Sequence, residues 1–194
     1  MLSKDIFGYL SITVALASYV FYFASVIRGQ TKPHAFSWIT WSIITFIVFY
    51  AQYSNDAGPG AWGTGIIALS CAVVAVMAFF WGEKDIRKSD WVMFISALVI
   101  IPVWCFTSNP MLAVIMSIMI DAFGGYYPTF RKSWHKPHEE QLQLYIIGVP
   151  QLVCTLLAME HYYLVNILYP LFVLIGNVSF VLMVLWRRRT YVGN

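Results

Sequence analysis

Polar and apolar positions along this chain segregate into long apolar stretches cut by short charged ones. No Asp, Glu, Lys or Arg occurs from Ile6 to Ile27, Pro33 to Asn55, Ala57 to Gly82, Trp91 to Ile120, Gln141 to Met159 or His161 to Trp186. A helix needs about 20 predominantly apolar residues to cross the hydrocarbon core of a bilayer, which these gaps supply. The fourth gap is too long for one crossing, and Ser108-Asn109-Pro110 inside it is a turn signal that divides it. The pattern predicts seven spans, at 6–27, 36–53, 61–82, 91–107, 111–130, 141–158 and 163–186. Backbone groups in lipid must be satisfied within their own segment, and barrel strands would alternate, so the expected class is an all-α membrane protein. Lys4 and the run ending Ala15-Leu16-Ala17 have the outline of a signal peptide, but the run continues to Ile27, which favours an uncleaved span.

Composition agrees: 60% of residues are hydrophobic and 11% charged, against about 45–50% and about 25% in soluble domains. So few charges cannot cover a water-facing surface. Eleven of the twelve Lys and Arg residues follow odd-numbered spans: Arg28 and Lys32; Lys84, Arg87 and Lys88; Arg131, Lys132 and Lys136; Arg187, Arg188 and Arg189. The positive-inside rule then places the C-terminus in the cytoplasm and the N-terminus, with Lys4, on the other side. Such an arrangement suits an inner membrane, and the sequence leaves open which membrane holds the chain. The net charge of +3 is the sum of these loops and calls for no nucleic-acid partner; the lipid bilayer is the expected surrounding. Trp62, Trp81, Trp91, Trp104 and Trp186 sit at span ends, as an interfacial belt does. Cys71, Cys105 and Cys154 fall inside spans and read as small buried hydrophobes.

An internal repeat is present. Tyr22 to His34 reads YFASVIRGQTKPH and Tyr126 to His138 reads YYPTFRKSWHKPH, at a constant offset of 104 residues. Span one thus corresponds to span five, two to six and three to seven. The expected organisation is a first three-helix repeat at 1–83, a linker helix at 84–109 and a second three-helix repeat at 110–194. Because the linker crosses once, both units point the same way, and parallel repeats of this kind occur in transporters.

The 3+1+3 arrangement, the exterior N-terminus and a Tyr/Pro-containing helix end before a short basic loop resemble the SWEET and PQ-loop superfamily of transporters. The resemblance covers nearly the whole chain as topology but only about two dozen residues as motif. Tyr126-Tyr127-Pro128-Thr129 occupies the place of that family's Pro-centred motif in the fifth span. Asp121 stands where SWEET proteins commonly carry Asn, and Asn177 roughly where they place a substrate-facing Asn. The resemblance implies carriage of a sugar or similar small metabolite by alternating access. Nicotinamide riboside transporters share the layout, which keeps a vitamin or nucleoside substrate open. The chain departs from the family at its hinges: Pro128 and Pro150 have Ala24 and Phe46 as first-repeat counterparts.

Asp121 is the one ionisable side chain deep inside a span. A carboxyl at the bilayer midplane costs roughly 2.5–3.5 kcal/mol on insertion scales, so such residues face a bundle interior and mark pathways. Ser117, Gly124, Gly125 and Pro128 share its helix face. The functional reading is a proton-coupling site or a ligand for a polar substrate; the bland one is a protonated acid bonded to a neighbouring helix. Asn166, Pro170 and Asn177 form a stripe on span seven, where amides suit either ligand recognition or interhelical bonding. Trp38, Trp41, Thr45 and Gln52 form another on span two, where an indole can stack on a solute or simply pack. Ser11, Ser18, Tyr22 and Ser25 on span one read as packing residues.

Candidate substrate-binding residues are therefore Asp121, Asn177, Trp41, Tyr126, Trp38 and Asn166, and candidate hinges Pro128, Pro150, Gly124 and Gly125. The Pro150-Gln151 pair lies in mid-span, away from the family motif, and reads as coincidence. His34, His135 and His138, beside Glu139 and Glu140, match no closed ligand set, so neither a metal nor another cofactor is expected. No nucleophile and base are paired, which argues against an enzyme. A small-molecule transporter leads, with homo-oligomers allowed. A seven-helix receptor without transport is the alternative, though a retinal Schiff base is excluded because no span carries Lys.

Overall fold

The computed structural model describes residues 3–82, 88–135, 137–139 and 142–190. The boundary expected at 83/84, the basic residues Lys84, Arg87 and Lys136, and Glu140 lie outside the described residues. Every regular element among the described residues is helical: α1 (Lys4–Ile27), α2 (Ala35–Ser54), α3 (Gly60–Trp81), α4 (Lys88–Thr107), α5 (Pro110–Ile120), a π-helical turn (Asp121–Tyr126), α6 (Tyr127–His135), a 3₁₀ turn (Pro137–Glu139), α7 (Gln143–Leu157) and α8 (Leu164–Thr190).

Among the described residues six helical stretches, the fifth being Pro110–His135, are long and apolar enough to cross a membrane, as in a multi-pass integral membrane protein. The sixth expected span is shorter: α7 has 15 residues, or roughly 22 Å at about 1.5 Å per residue, because Ala158 to Tyr163 leaves the helix as a loop. The outer faces of the helices remain apolar, with Phe21, Leu69, Phe80, Phe106 and Ile175 all more than half exposed. Water would penalise such a surface and acyl chains accept it.

Local chemistry sets several boundaries. Asn109 caps α5 by accepting a hydrogen bond from the Leu112 amide at 3.2 Å, and Pro110 opens the helix where its missing N–H costs nothing. His34 caps α2 through Nδ1 and the Ser37 amide at 3.4 Å. Between α2 and α3 the chain turns through positive φ at Asp56 and Gly58.

α3 packs along α1 and α2, while α8 packs along α7 and α5. The two groups meet where α1 lies on α7 and α2 on α5, and α4 rests against α2 and α5. Apolar clusters fill these seams: Ile44, Ile47, Ala97, Ile100 and Ala113 join α2, α4 and α5, and Leu142, Phe180 and Val184 join the start of α7 to α8.

Polar ties close the end of the bundle that carries the N-terminus. Lys4 Nζ donates to the Met159 and Glu160 carbonyls at 2.6 and 3.0 Å, and the Glu160 amide donates to the Ala57 carbonyl at 3.0 Å. One level deeper, Gln151 Nε2 donates to Ser11 Oγ and Thr155 Oγ1, each at 3.0 Å, and those hydroxyls lie 2.7 Å apart. Gly63 of α3 makes this node possible, because a Cβ there would sit 2.7 Å from Thr155 Oγ1 and 2.8 Å from Gln151 Nε2.

Overpacking a filled interior costs about 1–3 kcal/mol. Gly63→Val is expected to destabilise the detergent-solubilised protein by at least that amount, read as a lower melting temperature. Leu69→Val, on an outward face, is expected to leave it nearly unchanged.

Candidate functional site

Asp121 begins the π-helical turn and is 7% exposed. The wider turn carries an extra residue and re-aims the side chains that follow it, a device common at functional sites. Each carboxyl oxygen of Asp121 has its own donor. Trp41 Nε1 of α2 reaches Oδ1 at 3.2 Å, and the Tyr169 hydroxyl of α8 reaches Oδ2 at 3.0 Å. An indole N–H can only donate, so Oδ1 is an acceptor, and the pair of bonds fits both the carboxylate and the protonated acid. Gly125, one helical turn on, leaves the necessary room: a Cβ there would lie 2.6 Å from Oδ1.

At the far end of the π turn, Tyr126 donates to Asn177 Oδ1 at 2.7 Å and lies 3.2 Å from the Val173 carbonyl. Gly176 permits that approach, since a Cβ would meet the Tyr126 ring at 2.7 Å. These bonds connect the fifth crossing to α8.

The residues surround a central cavity of about 230 Å³. Trp38, Trp41 and Thr45 line it from α2, Asp121, Gly125 and Tyr126 from the π turn, Gln151 from α7, and Tyr169, Pro170 and Asn177 from α8. On its other side Asp121 borders a crevice of about 50 Å³ between α2, α4 and α5, lined also by Thr40, Met93, Gly124 and Asp90. Asp90 Oδ2 lies 3.4 Å from His34 Nε2 at the basic end of the bundle. The buried Thr40 hydroxyl has no hydrogen-bond partner among the described residues. A larger apolar groove of about 930 Å³ runs between α2, α3 and α4; it lacks any ionisable carboxyl or base and faces outward, so the smaller central cavity is the better candidate.

Five of the six residues expected to bind substrate are therefore together: Asp121, Trp41, Trp38, Tyr126 and Asn177. Asn166 is not among them. It lies fully buried at the N-terminal end, where Nδ2 donates to the Asn55 and His161 carbonyls at 2.9 Å each and its own carbonyl accepts from Gln52 at 2.8 Å. It ties loops together and does not reach the cavity. Of the expected hinges, Gly124 and Gly125 flank the acid, Pro128 lies in α6, and Pro150 lies within α7 on an exposed face.

Two residues were not singled out by sequence. Tyr169 shares the Asn166–Asn177 face at helical spacing and was visible as a polar-tipped member of that stripe. Gln151, whose pairing with Pro150 reads as a coincidental dipeptide in the sequence, is a lone amide inside an apolar run.

Compared with known protein families, characterised proteins and solved structures, the chain matches no family model, no characterised protein and no solved structure.

A buried neutral hydrogen bond contributes about 0.5–1.5 kcal/mol net. A double-mutant cycle of Tyr126→Phe and Asn177→Ala, read by thermal unfolding in detergent, is expected to give a coupling energy of about 1 kcal/mol. A value near zero contradicts the bond.

Proposed function

We propose that this chain carries a small polar solute across a membrane by alternating access, with Asp121 at the centre of the path and a proton as the coupling ion. One observation carries the reading: the sole acid buried among the described residues is held jointly by Trp41 from residues 1–83 and Tyr169 from residues 110–194, facing a central cavity. Lipid-embedded acids are expensive to keep and usually mark pathways.

The packing pattern supports two equivalent halves. α3 sits with α1 and α2 as α8 sits with the fifth crossing and α7. The contacts of α1 with α7 and of α2 with α5 exchange with one another under the 104-residue offset of the repeat. In this reading the halves are parallel units related by an axis along the membrane normal, and α4 is the linker. The 3+1+3 layout of SWEET and PQ-loop transporters is the corresponding precedent.

Positive-inside bias puts Arg28, Arg131 and Arg187 to Arg189 in the cytoplasm. The ties at Lys4, Gln151 and Asn166 then close the outer side, and the cavity reaches toward the cytoplasm past Trp38, Thr129 and Tyr145. The arrangement matches a carrier closed outward. The crevice from Asp121 toward Asp90 and His34 offers a proton a second approach from the same side.

A thermal-shift screen with sugars, nucleosides, amino acids, vitamins and amines identifies a ligand, because binding to the folded state alone raises apparent stability. Uptake of that ligand into proteoliposomes is expected to respond to a pH gradient. Asp121→Asn is expected to lower gradient-driven uptake about tenfold or more, since losing a bond to a charged group costs about 1.5–3 kcal/mol. Equal uptake by wild type and mutant with and without the gradient removes Asp121 from the mechanism. Binding without any flux makes the protein a receptor.

A further inference from the structure

We propose that the central cavity selects a compact organic cation, which competes with a proton for the Asp121 carboxylate. The inference rests on the reading of this cavity as the solute site and narrows its substrate class.

The hydrogen-bond inventory of the lining argues first. Sugar recognition needs free donors and acceptors for several hydroxyls, yet five of the polar side chains that line this cavity spend their hydrogens within the protein. Thr45 donates to the Trp41 carbonyl at 2.6 Å and Thr129 to the Gly125 carbonyl at 2.8 Å. The Tyr126 hydroxyl bonds to Asn177 and the Tyr169 hydroxyl to Asp121. Both hydrogens of the Gln151 amide are directed to Ser11 and Thr155. A polyhydroxylated solute would have to break these bonds, and displacing buried polar partners is costly.

Beside the Asn177 amide nitrogen and the Thr64 hydroxyl, what remains is mostly aromatic faces and one carboxylate. Tyr19, Trp38, Trp41, Tyr126, Tyr145 and Tyr169 all line the cavity. The rings are braced: Trp38 and Trp41 meet edge to face at 5.2 Å between centroids, and Tyr19 meets Trp38 at 6.2 Å. Ring faces attract cations, and desolvation strengthens the attraction. No Lys, Arg or His lines the cavity among the described residues, so an ionised Asp121 lacks a counter-charge there that a cation would supply. Size fits as well, since about 150 Å³ holds benzene and this space of about 230 Å³ admits a quaternary ammonium group with a short tail.

Competition with a proton follows from having a single carboxylate. Protonation removes the charge that the cation needs, and an occupying cation excludes the proton, which makes carriage an exchange. The other titratable groups facing this site are Tyr19 of α1, Cys71 of α3, Tyr126, Tyr145 of α7 and Tyr169 of α8, with Asp90 of α4 across the crevice beside His34.

Choline and its uncharged carbon analogue 3,3-dimethylbutan-1-ol separate charge from shape, and glucose represents the sugars. Binding to the purified full chain in detergent is read by tryptophan fluorescence and calorimetry. Choline is expected to bind and the other two to bind at least tenfold more weakly. Its affinity is expected to fall by up to about tenfold per pH unit on the acid side of the carboxyl titration. Asp121→Asn is expected to abolish both the preference for choline and its pH dependence. Trp41→Phe, which keeps an aromatic ring, is expected to weaken choline binding about threefold to thirtyfold, and it tests the site even where Asp121→Asn fails to fold. Glucose or the uncharged analogue binding as tightly as choline, or a choline affinity independent of pH, overturns the proposal. Because no vesicle is needed, such a failure is distinguishable from a failure of carriage.

Discussion

An acid among apolar helices must be held by neutral donors or be driven toward water, and here the donors come from helices far apart in sequence. Trp41 and Tyr169 each serve one oxygen of Asp121. That three-residue contact draws α2 and α8 to the fifth crossing and positions the cavity where these elements meet. Burying a charge without such partners costs far more than any single apolar contact returns. The aromatic lining, the glycines that make room and the π-helical turn can all be understood as the means of keeping this contact in place.

The remainder of the molecule divides its labour between lipid and interior. Outward faces stay apolar and need only solubility in acyl chains. Inward faces use small residues for close approach, at Gly63 between polar groups, at Gly125 beside the carboxyl and at Gly176 beneath the Tyr126 ring. Polar ties gather at the N-terminal end, whereas the central cavity extends toward the basic end.

Much of this was legible because lipid imposes strict rules. Charge-free stretches marked the helices, and Asn109-Pro110 marked the break between α4 and α5 through chemistry that the cap then uses. Asp121 stood out as an acid in an apolar span. Helical stripes, however, report a direction around an axis and not a depth along it. Asn166 shares a face with Asn177 but lies eleven residues away, roughly 16 Å along the helix, and so reaches the loops instead of the cavity. The π turn was invisible because tertiary packing decides it, and it changes which residues after Asp121 face inward. α7 is shorter than its charge-free stretch because absence of charge does not distinguish helix from the bonded loop that follows it.

The central claim is that the Asp121 face of the bundle encloses a solute path while the opposite faces meet lipid. Two positions on α8 separate these alternatives: Val173 lines the cavity, and Ile175, two residues on, is 58% exposed on the outer face. With the native cysteines replaced by alanine and the protein in vesicles, single cysteines at these positions are treated with a water-soluble, membrane-impermeant thiol reagent. Thiol modification needs the thiolate, hence water. Val173→Cys is expected to react from the side on which the cavity opens and to be protected by bound solute, with Ile175→Cys inert. Reaction at Ile175→Cys with silence at Val173→Cys contradicts the account.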